Sequence, residues 1–158
     1  MSSTSRGISP KHGGSRAEDS VLDAVPQLRF VPDTEARHYD AVVDELLSPS
    51  LDLPMVGLCL LAVGTIVEIK SAMVVVGESQ SNGRFYLRKS QHSDLVDEAG
   101  VYLFAVCEPT PQRDVIAMKV IPATCLDDVI STWIECEGRA TYAQILWTRL
   151  FSNDEVSP

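Results

Sequence analysis

Seven consecutive apolar residues, Val101–Cys107 (VYLFAVC), restrict the possible folds of this chain more than any other stretch. Successive side chains of a strand point to opposite faces, so an unbroken apolar run suits a strand covered on both sides. Such a strand belongs in a layered α/β domain with a mixed sheet and helices flanking it. No apolar run reaches the roughly 18 to 20 residues that a membrane span requires.

At 158 residues the chain is long enough for one domain with a substantial core. We expect that domain over residues 26–151. Before it, residues 1–25 are rich in Ser and Gly and carry Arg6, Lys11 and Arg16 ahead of the first acid, Glu18, so they read as a flexible, mildly basic arm. Residues 152–158 read as an acidic, frayed tail. The four cysteines form no CxxC pair, and Cys59 and Cys107 lie inside apolar runs where a free thiol acts as a small hydrophobe. This usage fits a reduced, cytoplasmic protein, and the dispersed Cys and His argue against zinc.

Net charge is −9, from 22 Asp plus Glu against 13 Lys plus Arg, which argues against a surface that simply coats polyphosphate. Only Lys11, Lys70, Lys89 and Lys119 are lysines. A lysine-poor, acid-rich surface suits a halophilic host. In molar salt the Debye length falls to about 3 Å, so binding of any polyanion would rest on short, specific contacts.

Along the chain, Pro-Asp opens an apolar-periodic run over 33–47 that predicts an N-capped helix, with Glu35, Tyr39, Val42, Val43 and Leu46 on one face. A proline-bounded segment, 49–54, breaks it. The β-branched stretches 56–63 and 65–76 predict a hairpin about Gly64, and GESQSNG a turn-rich loop. Arg84–Arg88 (RFYLR) alternates as a half-buried strand. Ser90 can cap a helix that Gly100 closes. Beyond the apolar strand we expect another strand over 114–121, a short helix over 126–133 and a longer one over 141–151.

The string Gly64-Thr65-Ile66-Val67-Glu68-Ile69-Lys70-Ser71 carries the most chemistry. Strand alternation puts Glu68 and Lys70 on one face, a carboxylate and an ammonium projecting together from an otherwise apolar strand. Burying both is costly unless they are paired or serve a site. The carboxylate can hold Mg²⁺ or Mn²⁺, and the lysine can orient the attacking water or offset phosphate charge. An ion pair on a solvent-facing edge is the plain alternative.

In order of elements and in this Glu-x-Lys, residues 34–107 resemble the PD-(D/E)xK nuclease superfamily, with its restriction-endonuclease-like core of helix, three strands, helix and strand. The resemblance implies a metal-dependent DNA endonuclease, similar to small archaeal Holliday junction resolvases of DNA recombination or repair, and commonly a homodimer. It makes Glu68, Lys70 and Gln91 catalytic. Gln91 would touch phosphate or the water on the metal. The acid expected on the strand before Glu-x-Lys falls near Gly57 or Cys59, so the second metal ligand is sought in Asp52, with Glu35 as the fallback. Arg84, Arg88, Lys89 and His92 would contact DNA phosphates. Tyr102, Phe104, Trp133 and Trp147 read as packing residues, and no aromatic ladder for single-stranded DNA is apparent. Should no second ligand reach Glu68, the alternative is an inactive nuclease-like module that binds DNA or another protein; a small α/β regulator is the third reading.

Overall fold

A computed structural model describes residues 12–36, 39–45, 55–56 and 61–156. Asp52, the whole of the expected 49–54 break, and part of the expected strand over 56–63 lie outside these. No helix among the described residues is long and apolar enough to cross a membrane.

The apolar run forms β5 (Val101–Cys107), and all seven of its residues are buried. It runs parallel to β3 (Ile66–Met73) on one side and antiparallel to β6 (Val115–Pro122) on the other. With β1 (Leu28–Phe30) and β2 (Ala41–Val43) these make a mixed five-stranded sheet in the order β1-β2-β3-β5-β6. Alternation then sorts β5 between two cores. Val101, Leu103, Ala105 and Cys107 join one apolar cluster, and Tyr102, Phe104 and Val106 join the other. Each fully buried Leu or Phe in these layers contributes about 1.5–3 kcal/mol relative to exposure.

The first face is covered by α1 (His12–Ala24), whose Ala17 and Val21, followed by Val25 just past its end, recur every fourth residue and pack into that cluster. Pro26 follows at once and stops the helix. The segment expected as a flexible arm is therefore, from His12 onward, the first helix of the core. The opposite face carries α2 (Lys89–Asp97) and a three-stranded sheet of β4 (Arg84–Arg88), β8 (Arg139–Leu146) and β7 (Ile134–Cys136), in the order β4-β8-β7. Gly83 leads into β4 so close to β3 that a Cβ there would run into the Met73 carbonyl, which accepts the Gly83 N–H at 3.1 Å.

The helix, three-strand, helix, strand core is present, but it begins earlier than expected. Of residues 33–47, those described form no helix: 33–35 are a turn, and Ala41–Val43 is a strand with alternating burial; 37–38 and 46–47, and with them Leu46, lie outside the described residues. Two valines after an alanine are compatible with either period, and pairing with β3 decides for the strand. The antiparallel neighbour of β3 is thus β2, which pairs with Ile66 and Val67 where the expected hairpin about Gly64 would have placed 56–63; among the described residues that hairpin is not formed. At α2, Arg88 rather than Ser90 holds the N-cap position, and Ala99 rather than Gly100 takes the left-handed turn at its end. The two C-terminal helices are also replaced. Ala123–Cys125 and Trp147–Arg149 are single 3₁₀ turns, and most of 141–151 is β8, where Ala143 and Ile145 point inward and Gln144 outward. In the acidic tail, Val156 is buried and Glu155 pairs with Lys119.

A helix that completes the core makes a sharp expectation. Val21, fully buried, should not tolerate a charge, and Val21→Asp should cost about 3 kcal/mol or more in urea denaturation. An unchanged midpoint would return residues 12–24 to the status of an arm.

Candidate active site

β3 is eight residues long while its partner β2 has only three, so the β2 side of β3 runs out of strand just where Glu68 begins. Asp40, the residue before β2, fills the gap. Its N–H donates to the Val67 carbonyl at 2.9 Å, and its Oδ2 accepts the Ile69 N–H, also at 2.9 Å. A side chain therefore extends the ladder by one step and brings a carboxyl group to the flank of Glu68.

Glu68 is 2% exposed and stands opposite Tyr102 of β5. Its Oε2 lies 3.0 Å from the Lys70 ammonium, and its Oε1 is buried with no hydrogen-bond partner among the described residues. Burial pushes the Glu68 carboxyl well above the usual range, the adjacent Asp40 carboxyl pushes it further, and Lys70 opposes both. Two carboxylates cannot bond each other without a proton or a cation between them. Glu68 Oε1 is thus a buried acceptor at a carboxyl pair that either a proton or a bound cation would satisfy.

Lys70, with its side chain 16% exposed, also donates to Gln91 Oε1 at 3.0 Å. Gln91 lies on the first turn of α2, so the two charged residues of β3 and this amide meet at the mouth between strand and helix. Of the residues named from sequence, Glu68, Lys70 and Gln91 come together. Glu35 does not join them; it is exposed in the turn after β1, where its N–H bonds the Pro32 carbonyl, rather than on the buried face of a helix. Asp52 is outside the described residues. The acid at the site is Asp40, missed because the segment was read with the helical period. Its signal was present, an acid opening the run Ala41-Val42-Val43.

Arg84, Arg88 and Lys89 are exposed, the first two on the outward side of β4 and the third at the start of α2. His92 differs from its expected role at phosphate. It is 5% exposed, with Nδ1 2.9 Å from the Tyr102 hydroxyl and Nε2 2.9 Å from Asp127 Oδ1. Its ring packs between Tyr102 and Trp133, at 5.8 and 5.7 Å between centroids. Both nitrogens are engaged, so His92 holds α2 against β5. Burial and the charges of Glu68 and Asp127 raise the Tyr102 phenol, which keeps its proton for this contact.

Among the described residues no group of three His, Cys, Asp or Glu side chains is placed to hold a metal. Two carboxylates fit Mg²⁺ nonetheless, since that ion is commonly held by one or two of them, with water and substrate phosphate filling the remaining positions. No curated protein and no solved structure matches the sequence. A family model, the PD-(D/E)XK nuclease superfamily domain, matches residues 3–152, nearly the whole chain and including Asp40, Glu68, Lys70 and Gln91. By that match, and with the core it requires, the chain belongs to the PD-(D/E)XK nuclease superfamily.

Proposed function

We propose that this protein is a Mg²⁺- or Mn²⁺-dependent DNA endonuclease whose cation is held by Glu68 and Asp40. The observation that carries this reading is the buried Glu68 Oε1, without a hydrogen-bond partner among the described residues and flanked by a second carboxyl group. A surface ion pair would leave Glu68 solvated and would not bring Asp40 to it. When bound, the cation would supply charge against a phosphate oxygen and make a bound water more acidic.

The chain's own groups have separable tasks. Glu68 and Asp40 are fixed by β3 and by the Ile69 N–H, so neither carboxylate needs to reorganise. Lys70 spends two of its three donors on Glu68 Oε2 and Gln91 Oε1. The third is left for a phosphate oxygen or the attacking water. Gln91 holds the ammonium at that mouth. Asp40 takes the place that sequence alone assigned to Asp52 or Glu35, and Arg84, Arg88 and Lys89 supply positive charge for the DNA backbone beside it.

The test is cleavage of linear duplex, single-stranded and four-way-junction DNA in Mg²⁺ or Mn²⁺. Asp40→Asn, Glu68→Gln and Lys70→Met should each reduce the rate by about 100-fold or more. A folded wild type that leaves every DNA intact would point instead to a nuclease-like binding module.

Stability gives an independent readout. Without metal, Glu68→Gln removes a desolvated charge from beside another carboxyl, while Lys70 keeps Gln91, so unfolding in urea and EDTA should be unchanged or harder by about 1 kcal/mol. A structural ion pair broken in the same way would lose about 3 kcal/mol. Mn²⁺ should raise the melting temperature of the wild type and not that of Glu68→Gln.

A further inference from the structure

The three-stranded sheet turns Phe85 and Leu87 of β4 into the core, and the residues between them out to solvent. Its outer face carries Arg84, Tyr86 and Arg88 from β4, paired in register with Leu146, Gln144 and Tyr142 of β8. Tyr86 and Tyr142 stack, with ring centroids 4.7 Å apart and planes 15° from parallel. These two tyrosines are far apart in the chain, and only the antiparallel pairing makes a platform of them.

Three features of this face point to one kind of occupant. First, Tyr86 remains 43% exposed although Tyr142 covers one side of its ring, and β4 borders the sheet, so among the described residues no further strand of that sheet covers the other side. Second, β4 and β8 contain three arginines and no acid, in a chain of net charge −9; the sheet's one acid, Glu135, is on β7, the strand farthest from β4. Among the described residues neither Arg84 nor Arg88 is ion-paired. Third, β4 runs directly into α2, so Arg88 is one helical turn, about 5 Å of rise, from Gln91 at the site. A hollow lined by Lys89, Ser90, Ser93, Ala140 and Thr141 adjoins that junction and offers an ammonium and hydroxyls of phosphate-binding type.

We propose that this outer face binds single-stranded DNA, an unpaired base stacking on the open side of Tyr86 while Arg84 and Arg88 hold the flanking phosphates. The inference rests on the nuclease reading for the choice of DNA, and it deepens it: the substrate carries unpaired bases near the scissile bond. Bases within a duplex are already stacked and cannot reach a tyrosine ring. Stacking on an aromatic beside a tracked backbone is the general mode for single strands.

The experiment is fluorescence anisotropy of a labelled oligonucleotide, single-stranded or annealed, with the full chain in EDTA across a KCl series. The single strand should bind more tightly than its duplex. Tyr86→Ala should weaken single-strand binding about tenfold, the scale of one lost stacked base, whereas Tyr86→Phe should stay within about twofold. Arg84→Gln and Arg88→Gln should each lower the slope of log affinity against log salt by about 0.7. Equal affinity for duplex and single strand, or a folded Tyr86→Ala that binds as wild type does, would overturn the proposal. A Tyr86→Ala that dissociates a dimer while keeping single-strand affinity would likewise overturn it, making the face a contact between copies. Because EDTA removes catalysis, the two readings fail separately. Single-strand binding by a wild type that cuts no DNA in Mg²⁺ would sink the nuclease reading alone; cleavage with Tyr86 dispensable for binding would sink only this one.

Discussion

The parallel pairing of β3 with β5 decides where the charged residues of this protein can be. Because β5 is buried on both faces, everything beside it is in low dielectric, and its register sets Glu68 opposite Tyr102 and Lys70 opposite Phe104. An apolar residue at position 68 would pack there without cost. A carboxylate at 2% exposure is tolerated only because an ammonium sits 3.0 Å away, and even so one oxygen lacks a bond among the described residues. Among the described residues polar satisfaction fails at two buried side-chain atoms, Gln27 Oε1 and Glu68 Oε1, and only the second belongs to a charged group beside another carboxyl, which is why the functional reading is built there.

The same pairing explains why the site is built from short-range devices. β2 begins too late to cover β3 beyond Val67, and the Asp40 side chain supplies the missing acceptor for Ile69. Had β2 begun earlier, a backbone carbonyl would have served and no second carboxylate would stand beside Glu68. On the opposite flank, His92 is fixed through both ring nitrogens to Tyr102 and Asp127, which sets the position of α2 and with it Gln91, its neighbour in sequence. His92 therefore acts on the site through placement.

Those elements whose pattern has one interpretation were legible in the sequence. The apolar run of β5, the strict alternation of β4, and the Glu-x-Lys of β3 each held; Glu68 and Lys70 meet as strand alternation suggested, and Gln91 lies beside them where the family resemblance implied it. Short or sparse patterns misled. α1 buries Ala17 and Val21 with Val25 behind them, a narrow stripe within a polar, glycine-containing stretch, so composition outweighed periodicity. β2 and β8 fall where the helical period is expected: three residues cannot distinguish the periods, and 141–151 reads as a helix although Ala143 and Ile145 alternate with exposed Gln144. The loss of Asp40 from the candidate ligands followed from the error at β2. His92 could not be placed from sequence at all, because its partners Tyr102 and Asp127 come from other elements.

These misreadings share a cause with the architecture of the site. β2 and β8 are strands because of what lies beside them, β3 and β4 respectively, and their own residues are nearly neutral between periods. The acid and the aromatic that matter to the proposed chemistry, Asp40 and Tyr142, lie at these context-dependent elements, whereas Glu68, Lys70 and Tyr86 lie on strands specified by their own pattern. Each of these two pairs thus joins a residue on a locally determined strand to one delivered by tertiary pairing. The carboxylate pair and the tyrosine pair exist only in the folded chain: the acid before Ala41-Val42-Val43 is visible in the sequence, but that it stands beside Glu68 follows only from the pairing of β2 with β3.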